Sequence, residues 1–126
     1  MRQTSIRAFC EALYCAYTPL DAFAVSATGD IKFAARATNV GAQSVHSVEF
    51  IGVRELSRNR ARPSQLGEGD ALELSVIEIE REAAGWRVWF NPWYIEEIEF
   101  HCARILLDGF EVTRTGRWLQ DDLPVA

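Results

Sequence analysis

Between Ala71 and Leu107 apolar side chains alternate with charged ones, and the alternation changes phase twice. Leu72, Leu74 and Val76 hold even positions, then Ile77 and Ile79 hold odd ones with Glu78, Glu80 and Glu82 between them. Further on, Ile98, Phe100 and Cys102 alternate with Glu97, Glu99 and His101 before the apolar set passes to Ile105 and Leu107. A period of two places one set of side chains on each face of a strand that is buried on one side only. Each change of phase predicts a β-bulge, one near Val76–Ile77 and one near Ala103–Arg104, because a slip of one residue turns every later side chain over.

The segments between these strands read as turns. Ala83-Ala84-Gly85 leads into Trp86–Phe90, and Asn91-Pro92 breaks the chain before a strand from about Tyr94 to Leu107. Asp108-Gly109 is the strongest hairpin signal, leading into Phe110–Thr115. Upstream, Phe23, Val25 and Ala27 alternate into Thr28-Gly29-Asp30, and Ile31, Phe33 and Ala35 alternate out of it, predicting a hairpin over 21–37. Asn39–Ser44 reads as a loop and residues 45–55 as a strand made irregular by Gly52. Gly116 onward reads as a tail anchored by Trp118. Consecutive hairpins without βαβ units argue against a parallel sheet.

One segment has the other period. Ile6, Phe9, Cys10, Leu13, Tyr14 and Tyr17 recur at helical spacing, Thr4 or Ser5 caps the start and Pro19 bars continuation, so residues 5–17 read as an amphipathic helix. The chain therefore reads as one α+β domain over residues 1–126, mostly β. An N-terminal amphipathic helix packs on a curved antiparallel sheet of about seven strands; the alternative is a β-sandwich with an appended helix.

Composition narrows the function classes. At 126 residues, 48% of them apolar, the chain buries a core without disulfides or metal. Cys10, Cys15 and Cys102 are an odd number with no CxxC spacing, which fits neither a disulfide framework nor a zinc site. No apolar run nears the roughly 20 residues that span a bilayer, and the N-terminus has no secretory pattern, so a soluble cytoplasmic protein is expected. The net charge of −5 divides unevenly: residues 1–67 carry eight basic and five acidic side chains, residues 68–126 five and thirteen. Such acidity argues against general nucleic-acid binding.

No GxSxG, GxxxxGK[ST] or GxGxxG motif occurs, and no cofactor is expected. His101 and Cys102 are adjacent on a strand, so they face opposite ways and form no dyad with each other. Cys102 keeps register with Ile98 and Phe100 and reads as a core thiol. Glu97, Glu99 and His101 share a face that, with Glu80 and Glu82, offers oxygen donors to a hard cation; a solvated strand face has the same pattern, and no metal is expected. Paired-carboxylate chemistry needs one desolvated glutamate; Glu96, in register with Ile98, comes nearest.

Two features suit contact with a partner. Arg54, Arg58, Arg60 and Arg62 precede or lie in a fourteen-residue stretch, Ser57–Asp70, that has little to bury and reads as an anion-binding loop. Three of the four tryptophans fall in Trp86–Trp93. Trp86, Val88 and Phe90 share a core face, Trp89 takes the opposite one, and Trp93 and Tyr94 follow the break at Pro92. A small acidic protein of helix plus antiparallel sheet, without catalytic signature, is similar in general character to many bacterial proteins that act by binding another protein, immunity and inhibitor proteins among them. The reading is a non-enzymatic interaction module. It presents Glu78, Glu80, Glu82, Glu97 and Glu99 to a basic partner, with Trp89, Trp93 and Tyr94 as apolar anchors. The alternative is a small-molecule-binding or enzymatic domain whose pocket, between helix and sheet, uses Trp86, Phe90, Tyr94 and His101.

Overall fold

A computed structural model of the chain describes residues 2–14, 16–19, 22–39, 42–60, 71–74, 76–91 and 96–113. It has the mixed, mostly β character expected, but among the described residues one short helix accompanies two sheets rather than one sheet of seven strands. In chain order the elements are β1 (Gln3–Thr4), α1 (Ile6–Leu13), β2 (Ala16–Pro19), β3 (Ile31–Asn39), β4 (Ala42–Ile51), β5 (Arg54–Arg60), β6 (Ala71–Glu73), β7 (Ile77–Glu82), β8 (Gly85–Phe90), β9 (Glu96–Cys102), β10 (Arg104–Leu107) and β11 (Phe110–Val112). The larger sheet has the order β1-β11-β10-β4-β3-β2-β6 and the smaller β5-β9-β8-β7. Among the described residues every pairing is antiparallel except that of β1 with β11.

The two predicted bulges are crossings between the sheets. β6 ends at Glu73 in the larger sheet and β7 begins at Ile77 in the smaller. β9 and β10 are likewise split, at Ala103. A strand that changes sheets exchanges its buried face as it turns the corner, so a change of phase in the sequence is what such a corner leaves behind. A third crossing joins β4 to β5 at Gly52, whose φ of 69° suits glycine. Two of the crossings are bonded to each other, Ala103 N–H donating to Ile51 O at 2.8 Å, and Val53 N–H ties the corner at Gly52 to the turn at Gly29, donating to Gly29 O at 2.7 Å. A genuine bulge lies elsewhere, in β5 between Arg54 and Ser57, with Glu55 at φ 58°.

The helix begins where expected, with Ser5 Oγ accepting the Ala8 N–H at 3.0 Å. It ends at Leu13 rather than near 17, because the backbone turns extended at Tyr14 and β2 then pairs with β3 and β6. Ile6, Phe9, Cys10 and Leu13 are buried, whereas Tyr14 and Tyr17 are exposed. Phe23 is buried without a strand around it, so the expected hairpin over 21–37 has only its second arm. The hairpin that does form is β3–β4, paired out to Asn39 and Ala42, where a loop was expected. Asp108-Gly109 turns as predicted, with φ of 52° and 83° at the two positions. β11 ends at Val112; the tail with Trp118 and the thiol of Cys15 lie outside the described residues.

The core lies between the sheets. Phe50 on β4 meets Phe9 of the helix, Phe33 of its own sheet, and Phe90 and Phe100 of the smaller sheet, the last at 4.8 Å between ring centroids and 76°. Edge-to-face pairs of this kind contribute about 0.5–1.5 kcal/mol each beyond burial. Trp86, Val88, Phe90, Ile98, Phe100 and Cys102 face this core from the smaller sheet, which leaves the alternate residues of β7, β8 and β9 on its outer face.

Candidate functional site: the outer face of the four-stranded sheet

Strand register assembles the site. Glu78 pairs with Trp89 and Trp89 with Glu99; Glu80 pairs with Arg87 and Arg87 with His101; His101 pairs with Arg54. Because paired residues project to the same side of a sheet, Glu78, Glu80, Glu82, Arg87, Trp89, Glu97, Glu99, His101 and Arg54 form one surface. The five glutamates expected to bind a partner are thus brought together, although they come from strands separated by β8.

Two clusters divide this face. In the first, Arg87 is central. Its Nη1 lies 3.5 Å from Glu80 Oε2, its Nη2 donates to Glu99 Oε2, and its guanidinium stacks over the Trp89 ring at 4.7 Å. Burial alone would lower the Arg87 pKa, but the hydrogen bond to Glu99 and the charges of Glu99, Glu80 and Glu78 raise it above its ordinary value. Trp89 Nε1–H donates to Glu97 Oε1 at 2.6 Å. In the second cluster His101 bonds Glu82 Oε1 through Nδ1 and lies 3.3 Å from Glu55 Oε2 through Nε2. Arg54 Nη2 sits 3.8 Å from Glu82 Oε2. The left-handed Glu55 in the β5 bulge is what brings its carboxylate to the histidine.

Sequence reasoning missed Arg87 and Glu55. Arg87 was legible, since it shares the parity of Trp89 on the same strand. Glu55 was not, because only the bulge turns it toward His101.

The first part of the arginine-rich stretch is strand rather than loop, and residues 61–70 lie outside the described residues. Arg54, Arg58 and Arg60 lie on β5. Arg54 faces outward, while Arg58, in register with inward-facing Ile98, is exposed on the opposite side of the strand. Arg60 pairs with Glu96, and Arg62 lies outside the described residues, as do Trp93 and Tyr94. The aromatic-pocket set does not converge either: Trp86 and Phe90 are buried between the sheets and His101 is on the other face. Cys102 is buried and desolvation pushes its thiol up to about 12, which deprives it of the thiolate that a nucleophile needs. Among the described residues, no group of three or more His, Cys, Asp and Glu side chains is arranged to hold a metal ion, and no helix is long and apolar enough to cross a membrane.

Comparison with known protein families, with curated proteins and with solved structures finds no match to this chain.

Proposed function

We propose that this protein acts by binding a basic macromolecular partner, most simply another protein, through the outer face of the four-stranded sheet. The observation that carries the reading is the shared face itself. Glu55, Glu78, Glu80, Glu82, Glu97 and Glu99 are set against two guanidiniums, those of Arg54 and Arg87, and one imidazole. Fold stability does not account for such an excess, since exposed ion pairs contribute only about 0.2–1 kcal/mol each and like charges on one face repel. An excess of one sign speeds association with a partner of the other, and a partly buried tryptophan, Trp89, in its midst supplies the apolar contact that slows dissociation. An inhibitor or immunity-like role is one form this activity would take.

The test compares the wild-type chain with Glu78→Lys/Glu80→Lys as bait in its native lysate, at low and high salt. The proposal expects a stoichiometric partner that the wild type retains at low salt, loses at high salt, and that the reversed-charge variant fails to retain. The same captured set on both baits, whatever the salt, would overturn it.

A further inference from the structure

His101 is met by carboxylates from two other strands, one at each ring nitrogen. Nδ1 is hydrogen-bonded to Glu82 Oε1 on β7, and the second oxygen of Glu82 faces Arg54 Nη2. Nε2 lies 3.3 Å from Glu55 Oε2 on β5, an ion pair while the ring carries its charge. Glu55 is an unusual residue to find there. Arg54 pairs with His101 and Ser57 with Glu99, so Glu55 and Leu56 together stand opposite the single residue Phe100. Leu56 packs on the core. Glu55 instead has φ 58°, in the left-handed region that glutamate seldom takes, and its side chain is 67% exposed.

We infer that the His101–Glu55 contact is a proton-operated latch on the β5 bulge, closed on the imidazolium and released when the ring is neutral. The imidazolium donates from both nitrogens and serves both carboxylates; neutral imidazole keeps one N–H and presents a lone pair at the other nitrogen. Glu82 retains the N–H, because it is hydrogen-bonded to Nδ1 and its side chain is less exposed than that of Glu55, 29% against 67%. Nε2 then turns a lone pair toward the Glu55 carboxylate. Attraction becomes repulsion between acceptors, and the exposed glutamate swings into water, freeing its backbone to leave the left-handed region. The charged groups facing the ring are Glu82 of β7, Arg87 of β8, Glu99 of its own strand, and Arg54 and Glu55 of β5. Of the residue types in this set, histidine is the one that ordinarily changes charge between about pH 5 and 8. The latch acts within the fold, with or without a docked partner.

The test follows the Cα and carbonyl chemical shifts of residue 55 in isotope-labelled protein from about pH 5 to 8. The Cε1–H signals of the chain's two histidines, His46 and His101, are read in the same samples. The ratio of left-handed to extended Glu55 is expected to fall about two- to five-fold as pH rises, the effect of losing one exposed ion pair. The fall is expected to share its midpoint with His101 and not with His46. In Glu55→Gln the change is expected to vanish, since an amide can donate to the lone pair as readily as it accepts from the N–H. An unaltered or rising ratio in the wild type, a midpoint that follows His46, or an undiminished change in Glu55→Gln would each overturn the latch.

Discussion

Single residues hold the fold at places where their chemistry has no substitute. Gly85 opens β8 with φ 156°, and a Cβ built there would lie 2.1 Å from the carbonyl oxygen of Cys102. That oxygen belongs to the backbone of the neighbouring strand and cannot swing aside. Gly85→Ala is expected to cost about 3 kcal/mol, as overpacking and strain of this kind do, read as a lowered urea midpoint with an unchanged slope. Thr18 presents the opposite case. Its hydroxyl is buried, 1% of the residue being exposed, and finds no hydrogen-bond partner among the described residues. Thr18→Val keeps the shape and removes the desolvated oxygen, so it is expected to raise stability by about 1 kcal/mol; a loss of stability would show that the hydroxyl is bonded in solution. Neither residue was singled out by sequence. A glycine after a turn and a threonine near a proline are ordinary, and only the neighbouring strand makes them particular.

Among the elements, the corners matter most, and here the sequence was half legible. The parity changes at Val76–Ile77 and Ala103–Arg104 were visible, and so was the irregularity at Gly52. Whether a change of parity is a bulge within a sheet or a passage between two depends on the partner strand, which a single sequence does not specify. Asn91 shows how a corner is fixed. It is buried at φ 53°; its Oδ1 accepts the Val76 N–H at 3.3 Å, its Nδ2 donates to Glu73 O at 2.9 Å, and its own N–H donates to Val76 O at 2.7 Å. The side chain thus meets both ends of the segment by which the chain leaves β6 and enters β7. Asn91→Gly accepts the backbone angle but loses the two side-chain bonds, and about 2–3 kcal/mol with them; Asn91→Ala adds backbone strain and is expected to be worse. Equal stability of Asn91→Gly and wild type, by chemical denaturation, would contradict this role. The helix and the Asp108-Gly109 turn were legible for the reason the corners were not: each is decided by neighbours in sequence.

For the molecule as a whole, the charge pattern separates parts that hold the fold from parts left to other uses. On the larger sheet, Asp108 takes the Ser47 N–H at 2.8 Å on one oxygen and meets His46 Nδ1 at 2.8 Å with the other. Burial opposes ionisation there, but these bonds and the charge of His46 outweigh it and hold the carboxyl below its ordinary value. Glu111 is likewise held low by its two-pronged hydrogen bond with Arg104, reinforced by that charge. Carboxyls depressed in the folded state stabilise it fully above their unfolded pKa, and that contribution is lost as pH falls through the folded value. Thermal stability is therefore expected to drop on acidification below about pH 4.5, the ordinary glutamate value, and Asp108→Asn with Glu111→Gln to flatten that drop. On the smaller sheet, the alternation of glutamates was legible in β7 and β9 separately. That β8 lies between them, carrying Arg87 and Trp89 into the same surface, became clear only from the strand order.

The docking face is tested most directly by amide chemical-shift mapping. Isotope-labelled protein is titrated with octa-arginine at low ionic strength, where screening over the roughly 10 Å Debye length is least effective. The account predicts that the largest shifts fall on Glu78, Glu80, Arg87, Trp89, Glu97 and Glu99, with the Trp89 indole N–H among them, and that added salt reverses them. Shifts centred instead on the outer face of the seven-stranded sheet, around Lys32, Glu49 and Glu111, would contradict it.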